Sequence, residues 1–276
     1  MSWLDNEIGR IDKSKLRKNA LKWFIVGIMV TIAVLAVISL FPYTQDAGVR
    51  VIRIEGTLVT GNVYGGGYAG SEYIGGQLRN AADDPLIDGI VLRVNSLGGS
   101  PAAAQEVIGD LEYAKAKKPV VVSMGDMATS AAYHISSHSD WIFANPDSMT
   151  GSVGTIWTFY DRSVSLDNEG VSVSVVKSGE LKDLGATFRS LSSEELEYVQ
   201  KMVNDSFELF INDVISQRNI KRSDIEDAQL IRGEDALKLG IVDEMGNLFD
   251  AIEFTKNYDP ESVTKTDEKS VVNITE

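Results

Sequence analysis

Residues 23–41, WFIVGIMVTIAVLAVISLF, are nineteen consecutive positions without a charge. At about 1.5 Å per residue such a run spans the hydrocarbon core of a bilayer. Trp23 and Tyr43 stand at its two ends, where amphipathic rings favour the membrane interface. A cleaved export signal has a shorter apolar region, roughly 7–15 residues, closed by a small-residue site. No A-x-A-like site closes this run, and a charged segment, residues 1–22, precedes it. The expectation is an uncleaved transmembrane helix at 23–41. Arg10, Lys13, Lys15, Arg17, Lys18 and Lys22 lie before it, and only Arg50 and Arg53 follow closely. The positive-inside rule then places the N-terminal segment 1–22 in the cytoplasm and, past a short linker at 42–48, the rest of the chain on the exterior side of the cell membrane.

The remaining length suits one compact domain of about 200 residues, expected at 49–257, with a polar, disordered tail at 258–276. The chain carries a net charge of −14, which repels phosphate backbones and argues against a nucleic-acid partner. It has no cysteine, which excludes a thiol nucleophile, thiolate metal sites and disulfides.

VRVIRIEGTLV (49–59) alternates and reads as a strand, and TGNVYGGGYAG (60–70) as a flexible glycine-rich loop without the order of a phosphate loop. Residues 71–82 read as helix, and IDGIVLRVNS (87–96) has the continuous apolar run of a buried parallel strand. A turn and helix follow at 98–118, then a buried strand at 119–125 and a helix from about Ser130. DWIFANP (140–146) and VSVSVVKSG (171–179) read as further strands. Strand alternating with helix implies a mostly parallel sheet in an α/β fold. Residues 192–217 open with a capping box, Ser192 to Glu195. Leu196, Val199, Val203, Phe207, Phe210, Ile211 and Val214 then follow at helical spacing, as a core or subunit-interface stripe.

Three segments offer chemistry. NSLGGSP (95–101) places paired glycines between a strand and a helix start, where backbone N–H groups suit an oxyanion; the plain alternative is a strand-to-helix turn. Ser130, in GDMATSAAYHIS, has small neighbours at another strand-to-helix junction; it is either a nucleophile or an N-cap. Lys182, in KSGELKDLGATFRS, follows the expected strand at 171–179; a lysine acts as a general base only when burial lowers its pKa to about 7–8. HISSH sets His134 and His138 on one helical face, as metal ligands would be. It lacks the glutamate of H-E-x-x-H, and neither a third ligand nor an acid to orient a histidine base is evident locally.

Taken together, these segments resemble the signal peptide peptidase A family of membrane-anchored serine–lysine proteases. The likeness runs from about Val49 to Ala251 and is carried by IVLRVNSLGGSP, SMGDMATSAAYHIS, NPDSMTGSVGTI, KSGELKDLGATFR and GEDALKLGIVDEMG in that order. It implies a ClpP/crotonase-like superhelical fold and a serine endopeptidase that degrades remnant signal peptides after their release from exported proteins. By the same resemblance Ser130 is the nucleophile, Lys182 its general base and Ser152 the residue that orients the lysine. Gly99 and Ala131 supply backbone donors to the oxyanion. No metal or cofactor is implied. A homo-oligomeric ring with active sites shared between neighbouring subunits is. Leu97, where the family usually has proline, and Ala131–Ala132, where it often has glycines, are departures that bear on specificity. The rival readings are a crotonase-type acyl-CoA enzyme and a non-catalytic membrane-anchored scaffold of the same fold.

Overall fold

The structure, a computed structural model, describes residues 13–40 and 48–260, with side chains described at 18–34 and 48–260. The chain divides into two units, Met1–Gln45 and Asp46–Glu276.

Among its described residues the first unit contains one helix, α1 (Lys13–Leu40). It takes in the expected apolar run as far as Leu40, and Trp23, Phe24, Met29 and Ile32 are all exposed. Among the described residues no helix is long and apolar enough to cross a membrane. The described side chains of α1 end at Val34, whereas the expected span continues to Phe41.

The second unit begins with β1 (Gly48–Glu55) and β2 (Thr57–Val59), then β3 (Tyr64–Gly65), β4 (Tyr68–Gly70) and α2 (Ser71–Asp83). β5 (Ile87–Ser96), α3 (Pro101–Lys115), β6 (Val120–Thr129), α4 (Ala131–Ser137), β7 (Trp141–Ala144) and β8 (Met149–Gly151) follow. After α5 (Ser163–Asn168) and a 3₁₀ turn at Glu180–Asp183 come α6 (Ser193–Gln217), β9 (Leu230–Arg232), α7 (Gly233–Lys238), β10 (Glu244–Met245) and α8 (Leu248–Lys256).

The main sheet runs in the order β1-β5-β6-β7-β10, all parallel; β8 joins the far end of β6 in parallel and β9 pairs β8 antiparallel. Strand periodicity divides its side chains between two cores. Ile90, Leu92, Val94, Val120, Val122 and Met124 face one layer, built by α2, α3, α4 and the C-terminal half of α6. Val91 and Val121 face the other and pack with Ala251 and Ile252 of α8. Burial on both faces explains why β5 and β6 read as continuous apolar runs. α3 starts where it does because the Ser100 side chain accepts from the Ala103 N–H and Pro101 occupies the first helical position. In α6 the expected capping box is present: the Ser192 hydroxyl accepts from Glu195 N (3.2 Å) and the Glu195 carboxylate from Ser192 N (2.9 Å).

Three sequence expectations are corrected. The strand at 49–59 breaks at Gly56 into two strands in different sheets. The glycine-rich segment 60–70 is not a plain flexible loop: β3 and β4 form a hairpin, and β4 pairs β2 in a second sheet. Residues 171–179 alternate like a strand but pair with none among the described residues, and Val171, Val173, Val175 and Val176 stay exposed. Along the apolar stripe of α6, Val199, Phe210, Ile211 and Val214 are buried, Val203 and Phe207 are half-buried, and Leu196 is exposed. The tail from 261 onward lies outside the described residues.

Candidate active site

The parallel sheet brings the C-terminal ends of β5 and β6 side by side, and both strand-to-helix junctions open into one cleft. In open α/β sheets this is where ligands collect. Gly99, Pro101, Ser130, Ala131, His134 and Phe210 are among the residues lining it.

Ser130 sits between β6 and α4 with φ 54 and ψ −128, a conformation that costs a non-glycine residue on the order of 1–3 kcal/mol. Two backbone bonds pin it there: its N–H donates to Gly151 O (2.9 Å), and its C=O accepts from His134 N (2.9 Å). Its hydroxyl makes no capping bond, so the N-cap reading does not account for this serine. The N–H of Ala131 is the first of α4 and has no intrahelical acceptor.

The β5 junction faces it. Ser96 Oγ accepts from Gly98 N (3.0 Å) and donates to Gly56 O (2.6 Å), which holds the turn. Gly98 O accepts from Leu58 N and Leu58 O from Ser100 N, both at 2.9 Å, so Gly99 is bridged to β2 in parallel fashion. In such a bridge the flanked residue turns its own N–H away from the partner strand. The Gly99 N–H therefore points off β2 and has no acceptor among the described residues. A Cβ on Gly99 would lie 2.2 Å from Leu58 O, and one on Gly98 would lie 2.9 Å from Ala131 N. Both glycines keep backbone close to the serine. Of the two alanines beside it, Ala132 is fully buried in the core and its methyl does not narrow the cleft; Ala131 lines it.

Ser152 follows Gly151, the residue that accepts from Ser130, and its own N–H donates to Gln229 O (2.9 Å). With φ 51 it is, besides Ser130 and Ala228, one of three non-glycine residues at positive φ among those described. Lys182 is not brought to this cleft. It is exposed in the 3₁₀ turn, and its amine has no hydrogen-bond or ionic partner among the described residues. The turn itself is braced. Lys177 Nζ donates to Glu180 O (2.8 Å) and pairs with Asp183 (3.0 Å). Arg189 joins Asp183 (2.9 Å) to Glu195 (2.6 Å). Arg189 and then Lys177 hold the Asp183 carboxyl well below the usual carboxylate range. The Glu195 carboxyl is lowered to about 2, first by Arg189 and then by the Ser192 N–H.

One group that sequence reasoning missed is Asp213 of α6. Its Oδ2 lies 2.6 Å from His134 Nε2 and 2.9 Å from His138 Nε2. Burial pushes the His134 imidazole pKa down, with Asp213 opposing. The available signal was a lone acid on the apolar face of α6, between Phe210 and Val214 at helical spacing.

Residues 112–259, which are 148 of the 276, match the description of peptidase family S49. The chain belongs to this serine protease family. It is similar to Protease 4 of Salmonella typhi, 35% identical over 215 residues that cover 76% of this chain and 34% of the relative. Two further relatives carry provisional names. A protease of Methanocaldococcus jannaschii is 35% identical over 178 residues, 63% of this chain and 57% of the relative. A signal peptide peptidase SppA of Enterococcus faecium is 33% identical over 186 residues, 65% and 54%. The chain thus spans between about a third and a little over half of the length of these relatives. The α/β fold with its mostly parallel sheet is consistent with the ClpP/crotonase-type architecture of S49 peptidases.

Proposed function

We propose that this S49 chain is a serine endopeptidase in which Ser130 is the nucleophile and Lys182 of a neighbouring copy is the general base. The observation that carries this reading is the strained, uncapped Ser130 at a cleft lined by Gly99 and Ala131, whose backbone N–H groups have no acceptor among the described residues. In the reaction the lysine amine takes the Ser130 proton as Oγ bonds to the peptide carbonyl carbon. The oxyanion is held by the two N–H groups, the C–N bond breaks, and the ammonium returns its proton to the leaving amine. Water then hydrolyses the acyl-enzyme.

The reading takes the lysine from a neighbouring copy because Lys182 stands outside the cleft of its own chain, on a braced turn. Around it lie exposed apolar side chains, Leu181, Val176 and Val175 on the same arm, with Ile156, Trp157 and Tyr160 before it. Covering this arm with a second subunit would remove the amine from water, the condition under which a lysine serves as a base. In this reading Ser152, next to the Gly151 carbonyl that accepts from Ser130, would orient that amine. A closed homo-oligomeric ring satisfies every copy alike.

The apolar run 23–41 and its basic flank support a single-pass anchor with the N-terminus in the cytoplasm and the protease outside. The substrates are peptides, and the name of the E. faecium relative favours signal-peptide remnants. One observation favours a second reading, a histidine base: His134 lines the same cleft and has an acid partner in Asp213.

A fluorophosphonate probe and a peptide-cleavage assay test the proposal. Ser130→Ala should lose both labelling and cleavage, Lys182→Ala should lose cleavage by at least about 10³-fold, and mixing the two under subunit exchange should restore part of it. Retained cleavage in Lys182→Ala would refute the lysine base and return the role to His134.

A further inference from the structure

His134 of α4 and His138, its C-cap, lie one turn apart, and their Nε2 atoms converge on the same oxygen, Asp213 Oδ2, at 2.6 and 2.9 Å. The three ligand atoms all lie within 4.8 Å of one another. The imidazoles are buried, with side chains 4% and 6% exposed, while Asp213 is 32% exposed, so the group is walled by protein and open on one side. Each ring is fixed from behind. His134 stacks on Phe210, with ring centroids 4.4 Å apart, and His138 Nδ1 lies 2.9 Å from Glu112 Oε1.

That last contact creates an electrostatic demand. A neutral imidazole has one N–H and one lone pair. His138 stands between two carboxylates, Glu112 at Nδ1 and Asp213 at Nε2. If Nδ1 donates to Glu112, the Nε2 lone pair faces the anionic Asp213 oxygen, to which His134 is also directed. A second proton on His138, or a metal cation shared among the three atoms, removes the repulsion. Carboxylate–histidine–metal triads have this form, with a carboxylate on one ring nitrogen setting the tautomer and the other nitrogen on the ion.

We propose that His134, His138 and Asp213 bind one transition-metal ion, Zn²⁺ being the biological ion that best fits them. Glu112 orients His138, and a water on the open side completes four-coordination. Two imidazole nitrogens and one carboxylate oxygen favour Zn²⁺, Cu²⁺ or Ni²⁺ over Mg²⁺ and Ca²⁺, which take oxygen ligands. The ion would tie α4, whose first residue follows Ser130, to α6, 75–79 residues further along the chain. It would act as a clamp on the helix behind the nucleophile, and cleavage chemistry would not pass through it.

The test uses the full chain in detergent, carried on a Ser130→Ala background, without a polyhistidine tag and stripped with chelator. Its readouts are therefore independent of proteolysis and of the function proposed above. Titration with Zn²⁺ should give one ion per chain, and Co²⁺ should give visible absorption of four-coordinate intensity. Asp213→Asn, close in shape to the native residue, should weaken Zn²⁺ binding at least 100-fold. Glu112→Gln, at a half-exposed position where misfolding is not a concern, should weaken it 10–100-fold. Zn²⁺ should raise the melting temperature of the parent protein and leave that of Asp213→Asn unchanged. Absence of stoichiometric binding, or equal affinity in the parent and both variants, would overturn the site and leave the cluster a hydrogen-bonded network only.

Discussion

Ser130 invites a comparison between two inactive variants. Glycine adopts φ 54, ψ −128 without the Cβ clash that burdens serine, whereas alanine carries the same clash. The residue cannot relax away, because Gly151 O and His134 N hold both of its backbone groups. Strain of this kind is worth about 1–3 kcal/mol. Glycine gives back roughly 0.5–1 kcal/mol through the greater freedom of the unfolded chain. Taking the middle of each range, Ser130→Gly should be about 1 kcal/mol more stable than Ser130→Ala. For a unit of this size that is roughly 2–4 °C in melting temperature. At an exposed position inside an ordinary helix the order reverses. Gln200→Gly in α6 should be about 1 kcal/mol less stable than Gln200→Ala and melt below it. Scanning calorimetry of the four proteins at one pH measures both differences. If Ser130→Gly melts at or below Ser130→Ala, the serine is not strained, and the argument that its geometry is maintained for function fails.

Two more outcomes follow from the site and its supporting arm. Gly99→Ala puts a methyl 2.2 Å from Leu58 O, so the turn must shift; kcat should fall about 10²–10³-fold, the usual effect of losing one oxyanion donor, while probe labelling of Ser130 persists more weakly. The Glu195 carboxyl, lowered to about 2 in the fold from an ordinary 4.5, contributes stability that is complete above about pH 4.5 and is lost as pH falls toward 2. Melting temperature should therefore drop more steeply below pH 4.5 in the parent than in Arg189→Gln, and parallel curves would show that the Asp183–Arg189–Glu195 link is not coupled to folding.

Local patterns carried much of this protein. The apolar runs at 87–96 and 119–125, the Ser192–Glu195 capping box and the glycine turn before Pro101 each depend on residues a few positions apart, so their elements were readable from the chain alone. The same holds for the junctions that carry Gly99, Ser130 and Ala131, because strand ends and helix starts are locally encoded. What required the tertiary structure is whatever depends on a distant partner. The alternation at 171–179 specifies a strand only if another strand pairs with it, and none does among the described residues. The segment 60–70 reads as a loop until β2 supplies an edge for β4. Lys182 follows Ser130 by 52 residues, but no local rule says that it stands outside the cleft of its own chain. Asp213 is an ordinary helix acid in sequence; only the packing of α6 on α4 sets its oxygen between two imidazoles. Side-chain convergence across long sequence separations is decided by how elements pack, and that information is not local.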